Sequence, residues 1–281
     1  MALPKYEDHY IQVDGKSIRY WAEGEGRTVI LVHGLSCSAE FWQRNIGALS
    51  QQHRVYALDL LGFGRSDKEI DEWSLSYGAS FIAQFMHALG AERATVVGNS
   101  FGGILCAQFA VQFPSRLEKL VLVDSAGFGR ELNFLLRLES VRVLGRAMFS
   151  LYQRIFPLTT RWAYYDPSSV DEEWLAETGA ILRSPGVRDN ALKVIRMGVD
   201  LGGQREELFG DLHRQLAHVT APTLIIWGSD DALVPVSHAY AAHKLIPNSQ
   251  VRIVQRCGHL PQVERPEEFN QLLLDFLSGE S

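Results

Sequence analysis

Three side chains far apart in the chain are of the types needed to hydrolyse a carbonyl compound: Ser100, Asp231 and His259. A serine hydroxyl is a weak nucleophile near neutral pH. It needs a base within hydrogen-bond reach, and the base needs an acid to orient it. Ser100 lies in Gly98-Asn99-Ser100-Phe101-Gly102-Gly103, with a glycine two residues away on either side. Neighbouring elements approach too closely across so sharp a turn for a Cβ, and glycine removes the clash. A hydroxyl on that corner faces the free N–H groups and positive dipole end of a helix, which favour a developing negative charge. The pattern is Gly-x-Ser-x-Gly, a nucleophile elbow. His259 lies in Gly258-His259-Leu260-Pro261 and Asp231 in Asp230-Asp231-Ala232-Leu233-Val234-Pro235, each following a strand-like run.

Those three residues need a frame that brings strand ends together. The β-branched run Thr95-Val96-Val97 predicts a buried strand leading into Ser100. Apolar residues at helical spacing follow from Phe101 to Ala110, and Pro114 stops them. Runs at 28–32, 55–58, 120–123, 223–227 and 251–254 predict further strands, and 10–13 with 17–22 predicts a hairpin across Asp14-Gly15. Helices are expected from near Ala39, over 77–89 and over 266–277. Alternating strands and helices predict an α/β protein with a mostly parallel sheet covered on both faces. Chemistry in such sheets sits at the carboxyl ends of the strands, where His33, Asp59, Ser100 and Asp124 all fall.

The alternation breaks at about Ser125 and resumes after about His213. Between them lie helical stretches, such as 132–148, and turn signals at Pro157, Asp166-Pro167, Ser184-Pro185-Gly186 and Gly202-Gly203. This predicts a helical cap over the strand ends. The expected organisation is a core of 1–125 and 214–281 with a cap of 126–213.

The chain has 281 residues, enough for a sizeable core. Its net charge of −6 gives no global case for nucleic acid or membrane as partner. No apolar run approaches the length of a membrane span, and residues 1–10 carry charges where a signal peptide would be apolar. Three cysteines, Cys37, Cys106 and Cys257, lack framework spacing and fit free thiols, so a cytoplasmic location is expected.

Five motifs in order now carry a resemblance. They are Val32-His33-Gly34, the run Asp59-Leu60-Leu61-Gly62-Phe63-Gly64-Arg65-Ser66-Asp67, the Ser100 elbow, Trp227-Gly228-Ser229-Asp230-Asp231 and Gly258-His259. The chain resembles the α/β-hydrolase superfamily in its capped serine-hydrolase form, and the order Ser100, Asp231, His259 is that of such enzymes. The resemblance implies an eight-stranded sheet, no cofactor and no metal. It implies Ser100 as nucleophile, His259 as base and Asp231 as the acid that holds the imidazole. It further implies an oxyanion hole from the N–H groups of Leu35 and Phe101, supported by His33, Gly34, Gly98 and Gly102.

Rival acids exist. Asp230 adjoins Asp231, but the Trp-Gly-x-x-Asp spacing selects Asp231. Asp124 stands where some relatives place the acid, and is expected instead to cap its strand. Asp59 is expected to fix the glycine-rich loop. His213, His218, His238 and His243 are expected on the surface, and Cys37 and Cys257 to pack. Six arginines, Arg130, Arg137, Arg142, Arg146, Arg154 and Arg161, crowd the cap, and one of them facing inward would bind a substrate carboxylate.

The expected activity is cleavage of a small, largely apolar ester through an acyl-enzyme. A second candidate is C–C hydrolysis of vinylogous diketones, similar to meta-cleavage-product hydrolases. Their usual Gly-Pro-Gly-containing loop and post-histidine Trp are replaced here by Leu35-Ser36-Cys37-Ser38 and Leu260. A third is a ligand receptor of the same fold. Substrate identity and oligomeric state are not legible at this level.

Overall fold

The computed structural model describes residues 3–70, 72–156 and 163–279, the side chain of Ser169 excepted. Eight strands form one sheet: β1 (His9–Val13), β2 (Lys16–Glu23), β3 (Arg27–Val32), β4 (His53–Leu58), β5 (Ala94–Asn99), β6 (Leu117–Val123), β9 (Thr223–Gly228) and β10 (Ser249–Val254). A two-stranded ribbon, β7 (Val199–Asp200) with β8 (Gly203–Gln204), lies apart from them. The order in the sheet is β1-β2-β4-β3-β5-β6-β9-β10. β1 and β2 form the expected antiparallel hairpin, β2 pairs antiparallel with β4, and every later pairing is parallel.

Strand residues alternate between two apolar cores. Ile30, Val32, Val96 and Leu122 pack with Phe81, Phe85 and Phe109 of the helices Leu75–Ala88 and Phe101–Gln112. Val29, Leu31, Val97 and Val121 pack with Trp42 and with Phe269 and Leu273 of the helix Pro266–Ser278. Both faces of the sheet are therefore dry, which is why these strands are continuous apolar runs. The expected helix near Ala39 is a single 3-10 turn, Ala39–Trp42.

Between β6 and β9 the described residues form four longer helices: Arg142–Arg154, Glu172–Leu182, Val187–Gly198 and Glu206–Leu216. The helix expected over 132–148 is two helices, Phe134–Glu139 and Arg142–Arg154. They meet at a close approach: a Cβ on Gly145 would lie 2.0 Å from the Glu139 carbonyl oxygen. The Ser140 hydroxyl caps the first helix by donating to the Arg137 carbonyl at 2.6 Å. Pro157 and Arg161 lie outside the described residues.

The insert is tied to the sheet-end loops by polar contacts. Trp174 Nε1 donates to the Glu40 carbonyl at 3.0 Å, and Asn190 Nδ2 donates to the carbonyls of Gly62 at 3.2 Å and Lys68 at 2.9 Å. No described helix is long and apolar enough to cross a membrane.

Candidate active site

β5 and β6 end side by side, Asn99 pairing with Val123, and β9 runs on past Ile226, the partner of Val123, to Gly228. The residues that follow these strands share one rim. Ser100 takes φ +54° and ψ −115°, a strained backbone for a side chain larger than glycine. Its amide donates to the Val123 carbonyl at 2.9 Å, and its own carbonyl accepts from Gly103 at 3.0 Å and Ala126 at 3.1 Å. The flanking glycines are obligatory: a Cβ on Gly98 would sit 2.3 Å from the Gly102 oxygen, and one on Gly102 2.4 Å from the Val32 oxygen.

His259 Nδ1 donates to Asp231 Oδ2 at 2.7 Å, with both side chains nearly fully buried. The other Asp231 oxygen accepts from the amides of Leu233 at 2.8 Å and Val234 at 3.0 Å. That bond fixes the imidazole so that Nε2 is the nitrogen left for proton transfer. Ser100 and His259 line the same cavity, of about 430 Å³. Ser100 Oγ makes no hydrogen bond to a described residue.

The two expected oxyanion donors line this cavity too, and no described residue accepts from the N–H of Leu35 or of Phe101. Leu35 is held by the loop beneath it. The Leu60 amide donates to His33 Nε2 at 2.9 Å, so Nδ1 carries the proton and donates to the Gly34 carbonyl at 2.7 Å. Burial keeps His33 neutral, pushing its pKa down to about 4. Asp59 anchors the adjoining loops as expected, accepting from the amides of Ala39 and Arg65 at 2.7 Å each. Arg19, fully buried, bridges Asp59, Asp8 and Glu40.

The structure adds to the reading of Asp124. It does end its strand, but its carboxyl packs against the acid–base pair. The polar atoms of Asp124, Asp231 and His259 all lie within 4.8 Å of one another. Asp124 Oδ1 accepts from the Gly228 amide at 2.9 Å, while Oδ2 has no hydrogen-bond partner. Burial first, then the neighbouring Asp231 carboxylate, hold the Asp124 pKa well above the usual range. Two carboxylates this close in a dry site cannot both stay ionised, so Asp124 is the protonated member. Both Asp231 oxygens are already committed to donors, an arrangement built for an oriented imidazole rather than for an ion.

Two residues the sequence did not single out position the base. Asn99 Nδ2 donates to the Val123 carbonyl at 3.2 Å and to the His259 carbonyl at 3.3 Å, joining the elbow to the histidine loop. Buried Glu264 accepts from the amides of Tyr165 at 2.8 Å and Gly258 at 3.3 Å, and the His259 amide donates to the Ala163 carbonyl at 2.7 Å. Asn99 was visible only as the free position of the elbow motif.

Of the other histidines, His238 is buried rather than exposed, 3.1 Å from Glu131 and beside Trp227. Cys257 is buried and Cys37 lines the cavity; burial pushes both thiols up, as inert packing groups require. The cavity wall facing the rim is built by the insert, from apolar side chains including Leu136, Phe149, Phe156, Ile195 and Phe209. No described arginine or lysine lines it. Arg146 instead pairs with Asp189 and Arg130 with Glu206, at the surface.

Residues 29–272 match the family model described as the alpha/beta hydrolase family. The chain is 34% identical over 271 residues to a 2-hydroxy-6-oxo-6-phenylhexa-2,4-dienoate hydrolase of Comamonas testosteroni, covering 92% of this chain and 91% of that one. Among solved structures it is similar to a meta-cleavage product hydrolase from Pseudomonas fluorescens, with a TM-score of 0.79, 27% identity and 99% of each chain covered. It is also similar to a membrane phospholipase A, with a TM-score of 0.82, 27% identity, and 98% of this chain and 86% of the other covered.

Proposed function

The chain belongs to the α/β-hydrolase family, and on that premise we propose that it is a serine esterase for small, largely apolar carboxylic esters. In this reading Ser100 attacks the ester carbonyl while His259 takes its proton. Asp231 holds the imidazole and stabilises its charge, without accepting the proton. The N–H groups of Leu35 and Phe101 stabilise the tetrahedral oxyanion, each such donor lowering the barrier by roughly 3 to 4 kcal/mol. The alcohol leaves with a proton from His259, and water activated by the same imidazole hydrolyses the acyl-enzyme. The Ser100–His259 contact tightens when substrate fills the cavity, as catalytic hydrogen bonds commonly do. Residues 126–213 serve as the cap that excludes water from this chemistry.

The observation that carries this reading is the buried His259–Asp231 pair, opening on one apolar cavity with Ser100 and two uncommitted N–H groups. The C–C hydrolase reading draws on relatives whose substrate is named a dienoate. Such an anion needs a cation in the cavity, and the described wall supplies none. That observation favours a neutral ester.

The test is a panel of p-nitrophenyl esters of increasing acyl length beside one ring-fission diketone, with wild-type protein and Ser100→Ala. Ester turnover lost in Ser100→Ala, by about a thousandfold or more, supports the reading. Turnover of the diketone alone replaces it with C–C hydrolysis, and turnover of neither, with saturable binding, replaces it with a receptor role.

A further inference from the structure

Glu139 ends the helix Phe134–Glu139 and lines the cavity that holds Ser100. It is 8% exposed, and its carboxylate has neither a hydrogen bond nor an ion pair with any described residue. By contrast, buried Glu40 is served by Arg19 and Arg65, and Glu264 by two amides. An unserved carboxylate in an apolar wall is costly, and burial alone pushes its pKa up to about 7. Tyr152 on the same wall interacts with it electrostatically; burial also pushes this phenol up, so it is neutral. No described neighbour of Glu139 requires a carboxylate. A leucine or methionine would fill the same apolar surface without the desolvation cost. A polar group retained at such a cost inside a binding cavity is the kind that fixes ligand orientation.

We propose that Glu139 is the polar anchor of the cavity, receiving a hydrogen-bond donor, a hydroxyl or an ammonium group, carried by an otherwise apolar ligand. The proposal rests on the preceding reading only in placing substrate in this cavity. It deepens that reading by giving the ester a second polar end: a hydroxy- or amino-substituted acyl or alcohol chain, with an ω-carboxylate excluded. A neutral hydroxyl donates to the carboxylate and needs no further partner. An ammonium forms a charge-assisted pair in which each ion offsets the desolvation of the other. An incoming carboxylate meets like charge, with no cation among the described lining residues.

The experiment measures binding rather than turnover, so it does not depend on ester cleavage. Ser100→Ala protein is titrated calorimetrically with hexylamine, 1-hexanol and hexanoate at pH 8, where Glu139 is ionised. The expected order is hexylamine, then hexanol, with hexanoate weaker than the amine by about tenfold or more, the size of one charge-assisted hydrogen bond. In the same background, Glu139→Gln keeps hexanol binding within about threefold and lowers hexylamine affinity about tenfold. Glu139→Leu removes the preference for either donor. Hexanoate binding as tightly as hexylamine, preferences unmoved by Glu139→Gln, or no binding of any probe each overturns the anchor. An intact anchor in a protein that cleaves no ester overturns only the esterase reading.

Discussion

The rim of the sheet and the wall of the insert bound the same cavity but hold their side chains by different means. Along the rim, the residues around Ser100 are held by directional hydrogen bonds. Asp231 serves His259 and two amides, His33 serves Leu60 and Gly34, and Asn99 ties the elbow to the histidine loop. The wall is largely apolar contact, with one carboxylate, Glu139, that has no partner among the described residues. Directional bonds and a strained elbow hold the side chains and backbone of the rim in place. Dispersion contacts fix only volume and shape, which is sufficient for choosing a substrate. On the proposed reading, chemistry belongs to the rim and selectivity to the wall.

That division can be broken most severely on the rim. Asp231→Asn should lower kcat by about ten thousandfold, because an amide holds the wrong tautomer of His259. Asp124→Asn, 4.8 Å away at most, should cost less than about tenfold, since the native carboxyl is already neutral and an amide replaces it in shape. Steady-state kinetics of the two variants decide which carboxyl is the acid. Equal losses would mean that the pair shares the role.

A second effect is thermodynamic. His33 is neutral in the folded protein down to about pH 4, against an ordinary value of 6.5. Between these values the unfolded chain binds a proton that the folded one refuses. Stability from this group is therefore complete above pH 6.5 and declines as pH falls towards 4, by about 3 kcal/mol in all. Urea unfolding at pH 7 and pH 4.5 should show this loss in wild type and a smaller one in His33→Gln. Equal losses would remove His33 as the cause.

On the wall, effects should be smaller and of another kind. Leu136→Ala enlarges the cavity, and should move the preferred acyl chain towards longer esters by about tenfold in relative kcat/KM, leaving the pH–rate profile unchanged. A changed profile would show that wall and rim are not separable. Smallest of all, Arg137→Met, Arg142→Met and Arg146→Met should leave the selectivity between neutral and anionic esters unmoved, since none of these arginines lines the cavity.

This division also explains what the sequence made legible. The strands, the elbow and the loops bearing Asp231 and His259 are written in short local patterns, because a strand buried on both faces and a glycine-flanked turn leave few residue choices. Asp124 was legible as a strand end but not as a neighbour of Asp231. Its placement depends on β6 lying beside β9, with about a hundred residues of insert between them. The insert itself was legible only as helical. Its break at Ser140 depends on a helix–helix approach, and Glu139 carried no signal, since a glutamate on a helix is ordinarily a solvated one.

The central claim is that His259, held by Asp231, activates Ser100. Labelling with a fluorophosphonate, followed by peptide mapping, tests it directly. The account predicts one adduct, on Ser100, formed rapidly in wild type and slowed by about a thousandfold or more in His259→Ala. Labelling of another residue, or a rate at Ser100 that His259→Ala leaves unchanged, would contradict it.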